Sequence, residues 1–341
     1  VICGQGPAPA AATIAHFKSL GLDLIPGTGL LAGCIPGTFD AYMLLLRDYG
    51  TMRVRDVLEA AIHYARHGYP LVERICATIK TVQKLFEDEW PTSAAVYLPG
   101  GKVPEPGDLF RNPAMADMYD RILREAEAGG GGREAEIERA RKIWSQGFVA
   151  DAIDTFCRTQ ELMDVSGRKH RGVLTGQDMA TWQAHVEAPV HYDYGRYRIY
   201  KCGAWSQGLA ALQQFALLKG YNLDGMDPTS PDFLHTIVEA SKLAFADREA
   251  FYGDPEFVHV PTETLLSDAY NAERRKLIGD KASLELRPGH IPGAGGKVDA
   301  RATTGERTAV GATGAGEPTV GRMGESRGDT VHFDVIDRDG N

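Results

Sequence analysis

Paired cysteines are missing from this 341-residue chain. It has five cysteines, Cys3, Cys34, Cys76, Cys157 and Cys202, and no two lie close in sequence. With no CxxC pair, a zinc ribbon or a dithiol redox site is excluded. Scattered, odd-numbered cysteines read as free and mostly buried thiols, and such thiols lean toward the cytoplasm. Long apolar runs are missing too. None reaches the roughly 20 residues that span a bilayer, so no membrane segment is read. The opening Val-Ile-Cys-Gly-Gln-Gly has no charged region followed by an apolar core, so no signal peptide is visible. There is no basic run, and the formal net charge is −9. That excludes the clustered Lys and Arg of a nucleic-acid footprint.

What is present suits a globular chain. The apolar fraction is 43%, enough for a sizeable core. Periodicity predicts mainly helix over the first 290 residues. We read helices at Pro7–Leu20, Pro36–Tyr49, Arg53–His67, Pro70–Trp90, Asn112–Ala128 and Glu134–Thr159. In Arg53–His67 the apolar stripe is Val57, Leu58, Ala61 and Ile62. Gly129–Gly132 reads as a flexible hinge. Pro189–Cys202 reads as a hairpin about Gly195. Helices follow at Gln207–Lys219, Pro231–Phe251 and Pro261–Leu277.

Residues 287–328 are crowded with Gly, Ala, Thr and Pro and hold almost no large apolar side chains. Such a stretch buries too little to offset its ordering entropy and reads as a flexible loop. Thr330–Ile336 then alternates as a strand, and Asp339-Gly340 is a hairpin-turn signal. A strand and turn with no partner leave backbone groups unpaired. Together with an opening on Val1, this leads us to expect a protein that extends on both sides. We expect the 341-residue chain alone to be inactive and aggregation-prone.

Thr330 is the candidate for chemistry. A Thr at a strand start is by itself only good β-propensity. A Gly-rich segment leading into it is what self-cleavage needs: the hydroxyl must meet the Asp329 carbonyl, and Gly328 supplies backbone freedom. Cleavage frees an α-amine of ordinary pKa near ~8, which can act as base for its own hydroxyl.

Thr330-Val-His-Phe-Asp-Val-Ile-Asp-Arg-Asp-Gly-Asn341 resembles the start of the small subunit in the γ-glutamyltranspeptidase family. Further blocks match that family in order: Pro36-Gly37-Thr38, then Tyr49-Gly50-Thr51, Arg196–Tyr200, and Ala246-Asp247-Arg248 through Gly253-Asp254-Pro255 to Val260-Pro261. The resemblance implies an α+β fold, the four-layer αββα sandwich of N-terminal-nucleophile hydrolases. It implies large-subunit residues 1–286, a pre-cleavage loop at 287–329 and the small subunit from 330. It also implies acyl transfer by Thr330 from a γ-glutamyl amide such as glutathione to water or an amino acid. The partner is then the chain's own small subunit, and no cofactor is needed.

Where the family has an Arg-Glu pair before Ala-Pro, this chain has Cys3-Gly4-Gln5-Gly6-Pro7-Ala8. Gln5 can donate hydrogen bonds to a substrate but supplies no charge. That resembles the acylase-like branch, including cephalosporin acylases. Gly4 and Gly6 also read as a tight turn. The family's Pro/Ser/Gly-rich loop becomes Gly203–Gly208, where Ser206 reads as a helix cap and Trp205 as an acyl-pocket wall or core residue. Gln5, Trp205 and Ser206 are therefore the candidate substrate contacts. Asp247-Arg248-Glu249 reads as structural ion pairs. His63 and His67 are spaced i, i+4 but lack a Glu between them and a third ligand, and Asp337, Asp339 and Asn341 lack most of a calcium loop, so no metal site is read. An inactive scaffold of shared ancestry is the competing reading, and Thr330 argues against it.

Overall fold

A computed structural model describes residues 1–295. The expected cleavage site at Asp329 and Thr330, the strand after it and the Asp339-Gly340 turn lie outside the described residues. The described chain is α+β and mainly helical, and it divides into two compact bodies. The helical body is Gly4–His185. The hairpin body is Val1–Cys3 with the described residues 186–295.

The helical body contains α1 (Ile14–Ser19), α2 (Thr38–Tyr49), α3 (Val54–His67), α4 (Glu73–Asp88), α5 (Pro91–Tyr97), α6 (Pro113–Ala128), α7 (Gly132–Gln146), α8 (Phe148–Thr159) and α9 (Gly176–Thr181). Its main core joins Phe39 and Met43 of α2, Val54 and Ile62 of α3, Ile122 and Leu123 of α6, and Ile137 of α7. Ile122, Leu123 and Ile137 are wholly buried. Each such side chain contributes roughly 1.5–3 kcal/mol of burial.

Several expected helices are cut by residues that act locally. α1 begins only at Ile14, where Thr13 Oγ1 accepts from the His16 N–H at 3.1 Å. The Pro7 and Pro9 rings deny the preceding residues a helical backbone. Glu134–Thr159 is two helices, because Gly147 is extended (φ −111°, ψ −155°) and ends α7 while it starts α8. A Cβ there would lie 2.7 Å from the Ile143 carbonyl oxygen. The buried stripe of α3 is Val54, Ile62 and Ala65 with Leu58 half-buried beside them, and both Val57 and Ala61 are exposed. The packing of α3 against α6 sets that rotation. Gly129–Gly132 is a structured turn. Gly130, Gly131 and Gly132 have φ of 65°, 84° and 81°, which only glycine adopts at little cost. Arg139 donates to the Ala126 oxygen at 2.6 Å and to that of Gly130.

The hairpin body pairs Val190–Tyr194 with Tyr197–Lys201, antiparallel, Tyr194 opposite Tyr197. Behind it lie α10 (Gly208–Leu218), α11 (Pro231–Phe251), α12 (Thr262–Leu266) and α13 (Asp268–Arg275). α11 has its proline in the first turn and Ser230 Oγ accepting from the Phe233 N–H at 3.2 Å, a well-capped start. The expected Pro261–Leu277 helix breaks at Ser267, whose hydroxyl caps α13 at Tyr270 N. The Gly/Pro-rich stretch does not begin as a loose loop. Its first residues pack down, with Ile291 buried beside Leu209, Phe251 and Leu265.

Candidate active site

Gln5 lies in the helical body, between two glycines pressed against neighbouring backbone. A Cβ on Gly6 would sit 1.8 Å from the Ile35 carbonyl oxygen, and one on Gly4 would sit 2.7 Å from the Ala41 Cβ. Neither glycine has positive φ, so close approach, not turn geometry, demands them. Gln5 itself is exposed, and its amide has no hydrogen-bond partner among the described residues. The same wall holds a buried ion pair. Arg141 grips Asp40 with two bonds, Nε to Oδ1 at 2.6 Å and a terminal nitrogen to Oδ2 at 3.0 Å. The Ala184 N–H adds a third bond at 2.7 Å.

Trp205 and Ser206 come together in one turn of the hairpin body. The Trp205 indole N–H donates to Glu187 Oε2 at 2.9 Å. The Ser206 hydroxyl donates to the Gly203 oxygen at 2.9 Å and accepts from the Gly208 N–H at 3.0 Å. The N-cap position of α10 is Gln207, with no side-chain cap bond, so Ser206 ties together the turn before the helix and does not cap it as expected. The ring of Trp205 is half-buried.

Asp247 organises far more than its own tripeptide. It is fully buried. Gln213 Nε2 donates to its Oδ2 at 2.6 Å and the Tyr270 hydroxyl at 3.0 Å. Arg274 is ion-paired to Oδ1 at 3.0 Å, and the Gly289 N–H donates to Oδ1 at 2.7 Å. Burial and the Asp247 charge push the Tyr270 phenol well above its ordinary range, so it stays a neutral donor. Two turns earlier on α11, Glu239 is also buried. It accepts from the Ser283 N–H and pairs with Arg287 at 2.8 Å and with Lys242. Burial works to raise its pKa, but the Lys242 and Ser283 hydrogen bonds outweigh that and hold it below the usual carboxylate range. Sequence reading expected structural ion pairs at Asp247-Arg248-Glu249; Arg248 pairs with Glu249, but Asp247 pairs with Arg274, and Gln213 and Glu239 were missed. The signal was there: Gln213, with Gln214, interrupts the otherwise apolar Leu209–Leu218 run.

Other features carry less chemistry. The His63 and His67 rings lie 4.7 Å apart, and no third ligand group gathers with them among the described residues. A cavity of about 750 Å³ in the helical body is walled by Phe39, Tyr42, Leu46, Tyr49, Tyr119 and Trp144, with no His, Cys or carboxylate in its lining. Among the described residues no helix is long and apolar enough to cross a membrane.

Comparison with known proteins matches this architecture. The Gamma-glutamyltranspeptidase family model matches residues 1–341. The Glutathione hydrolase-like YwrD proenzyme of Bacillus subtilis is 30% identical over 272 residues, 79% of this chain and 47% of that protein. The solved structure of LmbA2991T421A is 55% identical with a TM-score of 0.81, covering 84% of this chain and 48% of that one. The cephalosporin acylase from Bacillus halodurans is 28% identical with a TM-score of 0.71, covering 85% and 50%. The chain thus spans about half the length of the curated relatives it matches. A family match over every residue, with glutathione hydrolase and acylase relatives sharing the fold, means that the chain belongs to the gamma-glutamyltranspeptidase family.

Proposed function

We propose that the whole protein is an N-terminal-threonine acyl-transfer enzyme, made as one chain and cut between Asp329 and Thr330. The observation that carries this reading is Thr330, at the head of a strand motif, in a chain matched by the family from 1 to 341. Relatives described as proenzymes support it. The Thr330 hydroxyl attacks the Asp329 carbonyl, and the ester that forms is hydrolysed to free the Thr330 amine. In turnover that amine takes the hydroxyl proton as Thr330 attacks the substrate amide, and the leaving amine departs. Backbone donors stabilise the oxyanion. Water, or an amino acid, then receives the acyl group from the ester. The four-layer αββα sandwich, with residues 1–286, 287–329 and 330–341 in their family roles, belongs to this proposal.

Two substrate classes follow from the family. One is γ-glutamyl amides such as glutathione. The other is the broader amides taken by acylases, favoured by a specific observation: exposed, uncharged Gln5 stands where the family places an arginine fork for the substrate carboxylate. Gln5 is the proposed polar contact and Trp205 the proposed wall. Ser206, with both its bonds committed to the turn, shapes the loop.

Intact mass and N-terminal sequencing on the complete gene product, beside Thr330→Ala, test the reading. The expected result is two subunits, the smaller beginning Thr-Val-His-Phe, and a single uncut chain in the variant. An uncut wild type would end the catalytic assignment and favour an inactive relative.

A further inference from the structure

We propose that residues 283–291 are a strap, buckled onto α11 by Glu239 and Asp247, that lets the chain be cut farther on without loosening the hairpin body. The second half of this statement rests on the cleavage reading above; the first half does not.

Glu239 and Asp247 are eight residues apart on α11, so they sit roughly on one helix face. Their side chains are 1% and 0% exposed. Between them they engage both ends of the strap. At its start, the Ser283 N–H donates to Glu239 Oε1 at 3.2 Å. In its middle, Arg287 pairs with Glu239 Oε2 at 2.8 Å, donates to the Leu277 oxygen at 2.7 Å, and offers its own carbonyl to Arg274. Near its end, the Gly289 N–H donates to Asp247 Oδ1 at 2.7 Å. Ile291 then closes the apolar core beside Phe251 and Leu265. Gly289 lies so close to α13 that a Cβ would fall 2.0 Å from the Tyr270 hydroxyl and 3.1 Å from Arg274 Cδ.

This is an unusual amount of directed bonding for a stretch without helix or strand. Its composition, Ser-Leu-Glu-Leu-Arg-Pro-Gly-His-Ile, gives it no propensity of its own to be held. Charge-assisted bonds to fully buried carboxylates are the strong kind. They also cannot be released singly, because an unpaired buried carboxylate is costly. The strap therefore behaves as a cooperative unit of the hairpin body. A chain end created after residue 295 leaves these anchors in place, since every one of them among the described residues lies before that point.

Hydrogen exchange read by mass spectrometry on the full protein tests this. Four samples are compared: wild type, Thr330→Ala, Asp247→Asn and Gly289→Ala. Peptides covering 283–291 should be protected equally in wild type and in Thr330→Ala. Asp247→Asn puts an N–H group where four donors converge. Gly289→Ala collides with Tyr270 while leaving both carboxylates intact. Each should speed exchange in 283–291 by roughly 10- to 100-fold, the loss of about one charged hydrogen bond, with α2 and α3 peptides unchanged. If Asp247→Asn does not fold, Gly289→Ala carries the comparison. Unprotected amides at 283–291 in wild type would overturn the strap. Protection present only in uncut Thr330→Ala would overturn its role in tolerating the cut. A wild type that is never cut would refute the cleavage reading alone, because the contrast with Gly289→Ala would still stand.

Discussion

Asp40 in the helical body and Asp247 in the hairpin body are both buried carboxylates facing an arginine, and they are wired differently. Asp40 meets one side chain, the Arg141 fork, and one backbone N–H from Ala184. Asp247 meets three side chains and a backbone N–H, drawn from α10, α13 and the strap. The helical body has broad apolar contact among α2, α3, α6 and α7, so its ion pair joins elements already packed. The hairpin body spreads its apolar core over smaller clusters, and one carboxylate cross-links four segments. The lesson is that a buried charge carries more structure where there is less oil around it.

The sharpest way to break this contrast is to delete each carboxylate. Asp247→Ala and Asp40→Ala each break a buried ion pair, at a cost of about 3–5 kcal/mol, and Arg141 keeps Glu138 at 2.9 Å when Asp40 is lost. Asp247→Ala should lie at the upper end, since Gln213, Tyr270 and Gly289 lose partners as well. Urea unfolding, with hydrogen exchange to locate the damage, ranks the two; a larger loss from Asp40→Ala would reverse the comparison. Ile122→Ala should come next, destabilising the helical body by roughly 2–5 kcal/mol through the cavity it opens. Unchanged exchange in α10 and α11 is expected with it.

Acid should act on both bodies. Asp178 in the helical body is held below the usual carboxylate range. Burial opposes this, but the Ala10 N–H and Thr175 bonds outweigh it. Glu239 in the hairpin body is held low for the analogous reason. A carboxylate whose folded pKa is depressed stabilises above its unfolded value, near about 4, and loses that contribution as pH falls through the folded value. The urea midpoint should therefore hold from about pH 7 to about pH 5 and drop steadily below about pH 4. A midpoint that rises on acidification would contradict these directions. The smallest effect expected is that of Ser206→Ala, about 0.5–1 kcal/mol for lost hydrogen bonds within the turn, read as a slight fall in Tm. A large fall in activity with no change in Tm would instead make Ser206 a substrate contact.

Local signals were legible. Ser230 with Pro231 specifies the start of α11, and the hairpin turns at Gly195 as its neighbours' alternation demands. Breaks were read less well. Gly147 and Ser267 sit inside continuous apolar periodicity, and periodicity alone does not distinguish one helix from two that follow each other. In α3 the stripe was placed one position off at Val57 and Ala61, because several apolar residues compete for the buried face and α6 decides among them. Of the candidate contacts, the Trp205–Ser206 turn was legible as a helix entry. The tie of Trp205 to Glu187 was not.

Family membership, the mainly helical character and the choice of Thr330 as the residue to test all come from residues read in order along the chain. They depend on motifs and spacings complete within short segments. The depth of Asp247 and Glu239, the strap at 283–291 and the need for glycine at positions 6 and 289 were decided by tertiary structure. Their partners lie tens of residues away, and a hydrogen-bond partner or a backbone in close approach leaves no mark on local periodicity.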